Sequence, residues 1–347
     1  MSELDIFKES TQQEILQELK AQKALVGIIA KGYDINSWDA AFEIGRSGAA
    51  NKILTVGDQL VGKYINGSSE YSCPWDVVGF LPSAVAMVNG AQKTFYNVPI
   101  IQMHYTGHEN QPFDPAEAVE ATEETAQAGF YYCGYDGTNY TMLTLAEGAT
   151  IPYSTYTKVY KTIYNSANAI RYGNSEWQYS WFRQYLNNSG TGWATPQHAC
   201  DVLPNNAANI IGFMSYIDED LASNVHAIKI KTKQASYTGS QLIETFDKFF
   251  PLSISEMNMK HSAASPDDGE PLDYYKILLE STVKKDTGTY AALVKYAVNG
   301  TTSAQNVRLR SAILSNIAVW VVISSGNVSY YGYPYGAFRP APACALI

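Results

Sequence analysis

From Ser311 to Ile347 the chain carries a single charged residue, Arg339, although it holds 24 Lys and Arg and 33 Asp and Glu in all. A stretch this poor in charge becomes a buried strand system, a membrane segment or a surface that meets a partner. Its punctuation argues against the membrane. The longest apolar candidate, "AILSNIAVWVVISSG", is broken by Ser and Asn and falls short of the roughly 20 apolar residues a spanning helix requires. What remains is read from alternation. As a strand, "VWVVIS" (319–324) puts Trp320 and Val322 on one face and Val321 and Ile323 on the other. Ser325-Gly326-Asn327 turns the chain and Val328 starts the return. With Trp320 and Val322 in the core, Val321 and Ile323 face outward with much of "SYYGYPYG", four tyrosines within residues 329–336. Alternation alone equally allows a strand buried on both faces.

Upstream, the pattern changes twice. Residues 11–31 place Ile15, Leu16, Leu19, Leu25, Val26, Ile28 and Ile29 roughly on one side of a helix that Gly32 stops. A short helix follows in "NSWDAAFEIGRSG", capped by Asn36 or Ser37 and ended by Gly48, with Trp38 and Phe42 inward. From Lys52 to about Tyr160 short strands dominate: "KILTVGDQLVGKYI", "WDVVGFL", "NVPIIQMHY", "FYYCGY" and "YTMLTLAEGATIP". "DPAEAVEATEETAQAG" reads as a helix with Pro115 in its first turn. Residues 174–188 read as the best-defined helix, capped by Ser175, with Trp177, Trp181 and Tyr185 every fourth residue. Beyond 205, strands such as "HAIKIKT" and "DKFFPLSISEM" alternate with loops, among them the acidic "SPDDGEPLDYY". The class is α+β, with helices early and mostly antiparallel strands later. Three regions follow: a helical segment at 1–50, a strand-rich region at 51–165, and a C-terminal domain at 166–347 that the strand-rich region either belongs to or is inserted in.

The chemistry-bearing motifs are weak. His104 and His108 lie four apart in "HYTGH", but a glycine separates them and a strand precedes them, so no metal site is expected there. The acidic loop 267–273 lacks the spacing of a calcium-binding EF-hand and reads as solvated. No catalytic or cofactor-binding motif occurs, and no histidine neighbours a Ser or Cys as a nucleophile pair, so neither an enzyme nor a cofactor is expected. The four cysteines, Cys73, Cys133, Cys200 and Cys344, have no CxxC pairing and read as buried free thiols. A net charge of -9 with no basic cluster argues against nucleic acid. The acidic, amphipathic "MSELDIFKESTQQEI" does not read as a signal peptide, which with the scattered cysteines points to synthesis in a reducing cytoplasm without membrane insertion.

A set of phrases in a fixed order carries more information than any one of them. "YDINSW" (33–38), "VGDQL" (56–60), "WDVVGF" (75–80), "FDPAEAV" (113–119), "RYGNSEWQYSWFRQYLNN" (171–188) and "GTGWATP" (190–196) are followed by "GFMSYIDEDL" (212–221), "DKFFPLSISEM" (247–257), "LRSA" (309–312) and the ending "FRPAPACAL". Over about residues 30–347 the chain resembles the variable target proteins of diversity-generating retroelements in gut phages and prophages. The resemblance implies a C-type-lectin-like domain related to the formylglycine-generating-enzyme fold, with short antiparallel strands and two or more helices. It also implies a 3′ end rewritten at adenines, chiefly in Asn codons, which cannot yield Lys, Glu, Gln, Met or Trp. Segment 311–347 contains no Lys, Glu, Gln or Met, and its one Trp, Trp320, sits at a framework position. The implied hypervariable face, within 311–340, comprises Ile317, Ala318, Val321, Ile323, Ser329, Tyr330, Tyr331, Tyr333 and Tyr335, with Ile313, Pro334 and Ala337 as further candidates. Between Asn316 and Gly326 the stretch is one residue shorter than the family pattern. Cys200 and Cys344 match no reactive pair of the related enzymes.

The function implied is a ligand-binding protein with a diversified surface: a phage receptor-binding or host-attachment protein on the virion. It would be made in the bacterial cytoplasm, and its ligand would be a bacterial cell-surface protein or glycan. Other virion proteins and further copies of the chain, as a homo-oligomer, would be its partners. The alternatives are a structural capsid or tail decoration protein that binds environmental glycans, and a formylglycine-generating-type enzyme dependent on Cys200 or Cys344.

Overall fold

The computed structural model describes residues 3–32, 34, 36–235, 239–279, 284–285, 289–300, 303–315 and 317–347. The side chains at 3–8, 284–285 and 329–331 lie outside the description. The fold is α+β, organised by one long strand. β2 (Ser69–Val88) pairs along most of its length with β3 (Ala91–Met103) across the turn Asn89-Gly90. Both turn residues have positive φ, 52° and 77°. That is the Asn-Gly signature of the two-residue hairpin whose twist matches its strands. β1 (Gln59–Asn66) pairs with the first part of β2, and β9 (Ala227–Lys233) with its end. β10 (Leu242–Asp247) and β19 (Ala343–Ala345) complete the sheet in the order β10-β9-β2-β3-β19. Strands at 59–103 therefore share one sheet with strands at 227–247 and 343–345.

Residues 119–162 form a separate small sheet, β5-β8-β6-β7: β5 (Val119–Glu120), β6 (Tyr131–Tyr135), β7 (Tyr140–Leu143) and β8 (Lys158–Thr162). It has its own apolar cluster around Tyr132, Ile151 and Val159. Three further pairs are short: β4 (Gln111–Pro112) with β18 (Ala337–Phe338), β11 (Met259–Lys260) with β12 (Lys284–Lys285), and β13 (Lys295–Tyr296) with β14 (Ala304–Gln305). A three-stranded sheet of β15 (Val307–Ala312), β16 (Val319–Val322) and β17 (Val328–Gly332) carries the charge-poor segment.

The helices follow local chemistry where it is strong. α1 (Glu3–Lys31) ends before Gly32, whose φ is 68°. α2 (Trp38–Arg46) starts at Ser37, whose hydroxyl accepts from Ala40 N at 3.2 Å. α3 (Ala167–Tyr172), α5 (Glu219–Asn224) and α6 (Asp273–Leu278) are single short turns. The helix expected over 174–188 is broken. Trp177–Tyr179 form a 3₁₀ turn, and α4 (Trp181–Leu186) begins afresh at Ser180, which accepts from Arg183 N. Ser175 caps neither piece. The break arises because Ser180 offers the backbone a competing cap. Trp177, Trp181 and Tyr185 are still buried in the main core with Trp75, Phe213 and Phe249.

Two other expectations are corrected. "DPAEAVEATEETAQAG" is not helical. Its amides are taken by strands: Val119 and Glu120 pair with Lys161 and Tyr160, and Ala126 N donates to Ala149 O. Pairing with neighbours overrides a helix propensity worth only tenths of a kcal/mol per residue. The acidic loop is not wholly solvated either. Asp268 is buried and accepts from Lys233 N at 2.6 Å.

Candidate ligand-binding surface

The β16–β17 hairpin turns where expected, with Gly326 N donating to Ile323 O at 2.8 Å and Ile323 N to Asn327 O at 2.9 Å. After β17 the chain does not run straight on. Residues 332–336 fold back and are pinned through their main chain. Phe113 N and Asp114 N both donate to Pro334 O, at 2.8 and 3.1 Å. Tyr335 N donates to Tyr172 O at 3.0 Å, and Gly336 N to Tyr333 O at 2.9 Å.

The anchor beneath is Arg308 on β15. It is fully buried, and its guanidinium donates to three carbonyls of this loop: Gly332 O (2.8 Å), Tyr333 O (3.1 Å) and Gly336 O (2.5 Å). Its plane lies over the Phe338 ring, 4.2 Å from the centroid. Burial pushes its pKa down to about 9, which leaves it charged at neutral pH and able to donate every proton. Gly332 allows the approach. A Cβ there would sit 2.5 Å from Val321 Cγ1, 2.6 Å from Val319 O and 2.7 Å from Arg308 Nη1.

None of these bonds uses a tyrosine side chain, so the rings stay available. Tyr333 stacks on Tyr172, with centroids 4.2 Å apart and planes 13° apart. Tyr335, 52% exposed, lies 6.0 Å from both rings. The row continues through Arg171, whose guanidinium sits 4.8 Å over Tyr172 and 5.7 Å over Tyr140. Tyr140 in turn neighbours Tyr135 at 4.6 Å and Tyr160 at 5.9 Å. The tyrosine loop and the small sheet thus share one aromatic band, with an exposed cation near its middle.

This geometry corrects part of the implied variable face. Val321, expected to look outward, is 1% exposed, and Ile317 and Ala318 are buried as well. Val321 pairs across the strands with Arg308, on the face that loop 332–336 folds over. Ile317 packs with Tyr164, Ala169 and Tyr333. Both faces of β16 are therefore covered, the other one by core that includes Trp320, which His261 meets edge-on at 5.0 Å. Ile323 is half-buried at the hairpin end. The side chains of Ser329, Tyr330 and Tyr331 lie outside the described residues, although β17 fixes their backbone. Of the nine positions, Tyr333 and Tyr335 are brought together at the surface. Arg171 and Tyr172 were missed as surface residues, although the phrase "RYGNSEW" contained them; read as framework, Arg171 is exposed and Tyr172 half-buried at its edge.

Other sequence candidates fall elsewhere. His104 and His108 follow β3 rather than lying on a helix; His104 Nδ1 is 2.8 Å from Asp76 Oδ2. All four cysteines are free and buried. Burial pushes Cys200 up to about 11 and Cys344 higher still, the opposite of an activated thiolate. Among the described residues no helix is long and apolar enough to cross a membrane.

No curated protein and no solved structure matches the chain. Residues 153–346, from just before β8 through the tyrosine loop and into β19, match the family described as a domain of unknown function, DUF6273. β1 to β3 precede that match yet share a sheet with β9 and β19 inside it. With more than half of its length matched, the protein belongs to the DUF6273 family.

Proposed function

We propose that this protein is a ligand-binding protein whose recognition surface is the tyrosine band around Tyr172, Tyr333 and Tyr335. One observation carries the reading: stacked, accessible tyrosines stand on a loop whose shape is set by Arg308 and by main-chain bonds. Tyrosine gives large, rigid, amphipathic contact with little rotamer entropy to lose. A backbone fixed without the help of the loop's own side chains also suits a surface whose residues are exchanged, as the resemblance to retroelement target proteins implies. The narrower reading, a virion-borne host-attachment protein that meets a bacterial surface protein or glycan, rests on that resemblance.

The test is binding of the purified protein to intact bacterial cells and to a glycan array. Tyr335→Ser is expected to leave the melting temperature unchanged, because the ring is half in solvent. Truncating a central aromatic contact costs about 2 kcal/mol or more, so cell binding should weaken by roughly 30-fold. Unchanged cell and glycan binding in this variant and in Tyr172→Ser would remove the tyrosine band from recognition.

The homo-oligomer reading has its own support in α1. Ile28 and Ala24 face the body of the protein, and Ile28 packs with Ala40, Ile44 and Ala50. Ile15, Leu19, Val26 and Ile29 are exposed on another side, four, seven and three residues apart, with Gln22 at the position between Leu19 and Val26 that a four-three spacing would use. Such a stripe fits the same stripe of a second copy, and several copies multiply weak binding by effective concentration. Leu19→Lys with Val26→Lys should convert an oligomer to a monomer in light scattering. A wild-type chain that is monomeric at micromolar concentration would end this reading.

A further inference from the structure

Glu117, His198 and Asp201 each bring one ligand atom within 4.8 Å of the others. Their supports are independent. Glu117 N donates to Ala169 O at 3.3 Å, which ties its segment to α3. Asp201 closes a turn in which its Oδ2 accepts from His198 N at 2.9 Å and from Gln197 N. The His198 ring is held edge-on by Tyr179 at 4.3 Å. Its Nδ1 lies 3.2 Å from Asp201 Oδ1 and 4.0 Å from Glu117 Oε2.

Two buried carboxylate oxygens beside His198 lack a donor. Glu117 and Asp114 are each 1% exposed, and neither Glu117 Oε2 nor Asp114 Oδ2 receives a hydrogen bond. A buried carboxylate oxygen without a donor is costly and rare, and its usual remedy is a proton or a cation.

We propose that Glu117, His198 and Asp201 form a binding site for a divalent first-row transition-metal ion, with Zn²⁺ the best fit. The donor set is one imidazole and two carboxylates, which suits Zn²⁺; Ca²⁺ and Mg²⁺ take oxygen alone. Tetrahedral Zn²⁺ with bonds of about 2.0–2.2 Å sets its ligand atoms roughly 3.3–3.6 Å apart. The observed 3.2 and 4.0 Å lie on either side of that range, so small side-chain movements close the site. The His198 side chain is 17% exposed, which gives an ion a way in. Bound there, the ion ties the 197–201 turn to the segment that starts with Phe113 and Asp114, the two residues whose amides hold Pro334. It would brace the base of the tyrosine loop.

The experiment uses the full, untagged chain, stripped with EDTA and titrated calorimetrically with ZnCl₂, and separately with CoCl₂ while the visible spectrum is followed. One equivalent should bind, with tetrahedral cobalt bands. Glu117→Gln and His198→Ala should each weaken uptake by more than the roughly 10–100-fold that loss of an outer partner costs. Glu117→Gln keeps the fold, which circular dichroism checks, so its failure to bind is not a failure to fold. No saturable uptake by the wild type, or equal uptake by both variants, overturns the site. Uptake of Ca²⁺ in preference to Zn²⁺ overturns the choice of ion.

Discussion

Arg308→Ala is expected to destabilise the protein by roughly 3–5 kcal/mol, since hydrogen bonds from a charged donor are worth about 1.5–3 kcal/mol each and three are lost, partly offset by no longer burying the cation. The three carbonyls of Gly332, Tyr333 and Gly336 would be left without that donor in a closed space. The melting temperature should fall by roughly 4–7 °C. Arg308→Lys is the informative companion. An ammonium keeps the charge but lacks the planar fork that reaches three acceptors at once, so it should recover less than half of the loss. Urea unfolding measures both variants. If Arg308→Ala unfolds within about 1 kcal/mol of wild type, the loop is held by its amides alone and the guanidinium is incidental. If stability falls while cell binding by the surviving folded protein is unchanged, Arg308 anchors the fold but not the recognition surface.

In chelating buffer the protein should become less stable as pH rises from about 5 to about 8. Burial, followed by contact with Asp201, raises the Glu117 carboxyl from its ordinary 4.5 to about 8. Burial, followed by repulsion from Glu117, raises Asp114 well above its ordinary range. These are acids whose folded pKa exceeds the unfolded one, so the folded state holds more protons between the two values. Their stabilisation is complete below about pH 4.5 and is lost as pH climbs through the folded value, a fall on the order of 2–4 kcal/mol. A second set opposes it at lower pH. Asp76 is buried and Asp201 partly so, yet hydrogen bonding with His104 and His198 respectively outweighs burial and holds them below their ordinary 3.8. Their contribution disappears only on strong acidification, so stability should peak near pH 5. Glu117→Gln removes the ionisable group, and denaturation midpoints at pH 5 and 8 should then lie closer together than in wild type. Parallel profiles for variant and wild type would place the proton elsewhere.

How legible this was depends on how local each cause is. The hairpin at 319–332 could be read from apolar alternation and from Ser325-Gly326-Asn327, because a strand and its turn are written in neighbouring residues. The start of α2 was legible for the same reason: Ser37 caps an amide three residues away. The burial of Val321 was not. Alternation says which residues share a face, but what covers the second face of β16 is a loop that returns after a further strand. The helix expected at 114–129 failed for a similar reason, since Val119 and Glu120 find partners forty residues on. Counting charge from Ser311 left Arg308 just outside the stretch whose shape it sets. Glu117, His198 and Asp201 have no shared local motif, and only the folded chain brings them together.

The pinned loop has a kinetic consequence. Because Arg308 and the amides of Phe113, Asp114 and Tyr335 order residues 332–336 during folding, the entropy of fixing that backbone is spent before any ligand arrives. On the proposed ligand-binding reading, encounter at this surface needs no slow rearrangement. Binding should follow a single exponential whose rate rises linearly with ligand concentration, in the ordinary range of about 10⁵–10⁷ M⁻¹s⁻¹. Arg171 stacks within the ring band and Lys158 beside it is paired with Glu120 at 2.9 Å, so that rate should respond only weakly to salt, and substitutions among the tyrosines should change how long a ligand stays rather than how fast it lands.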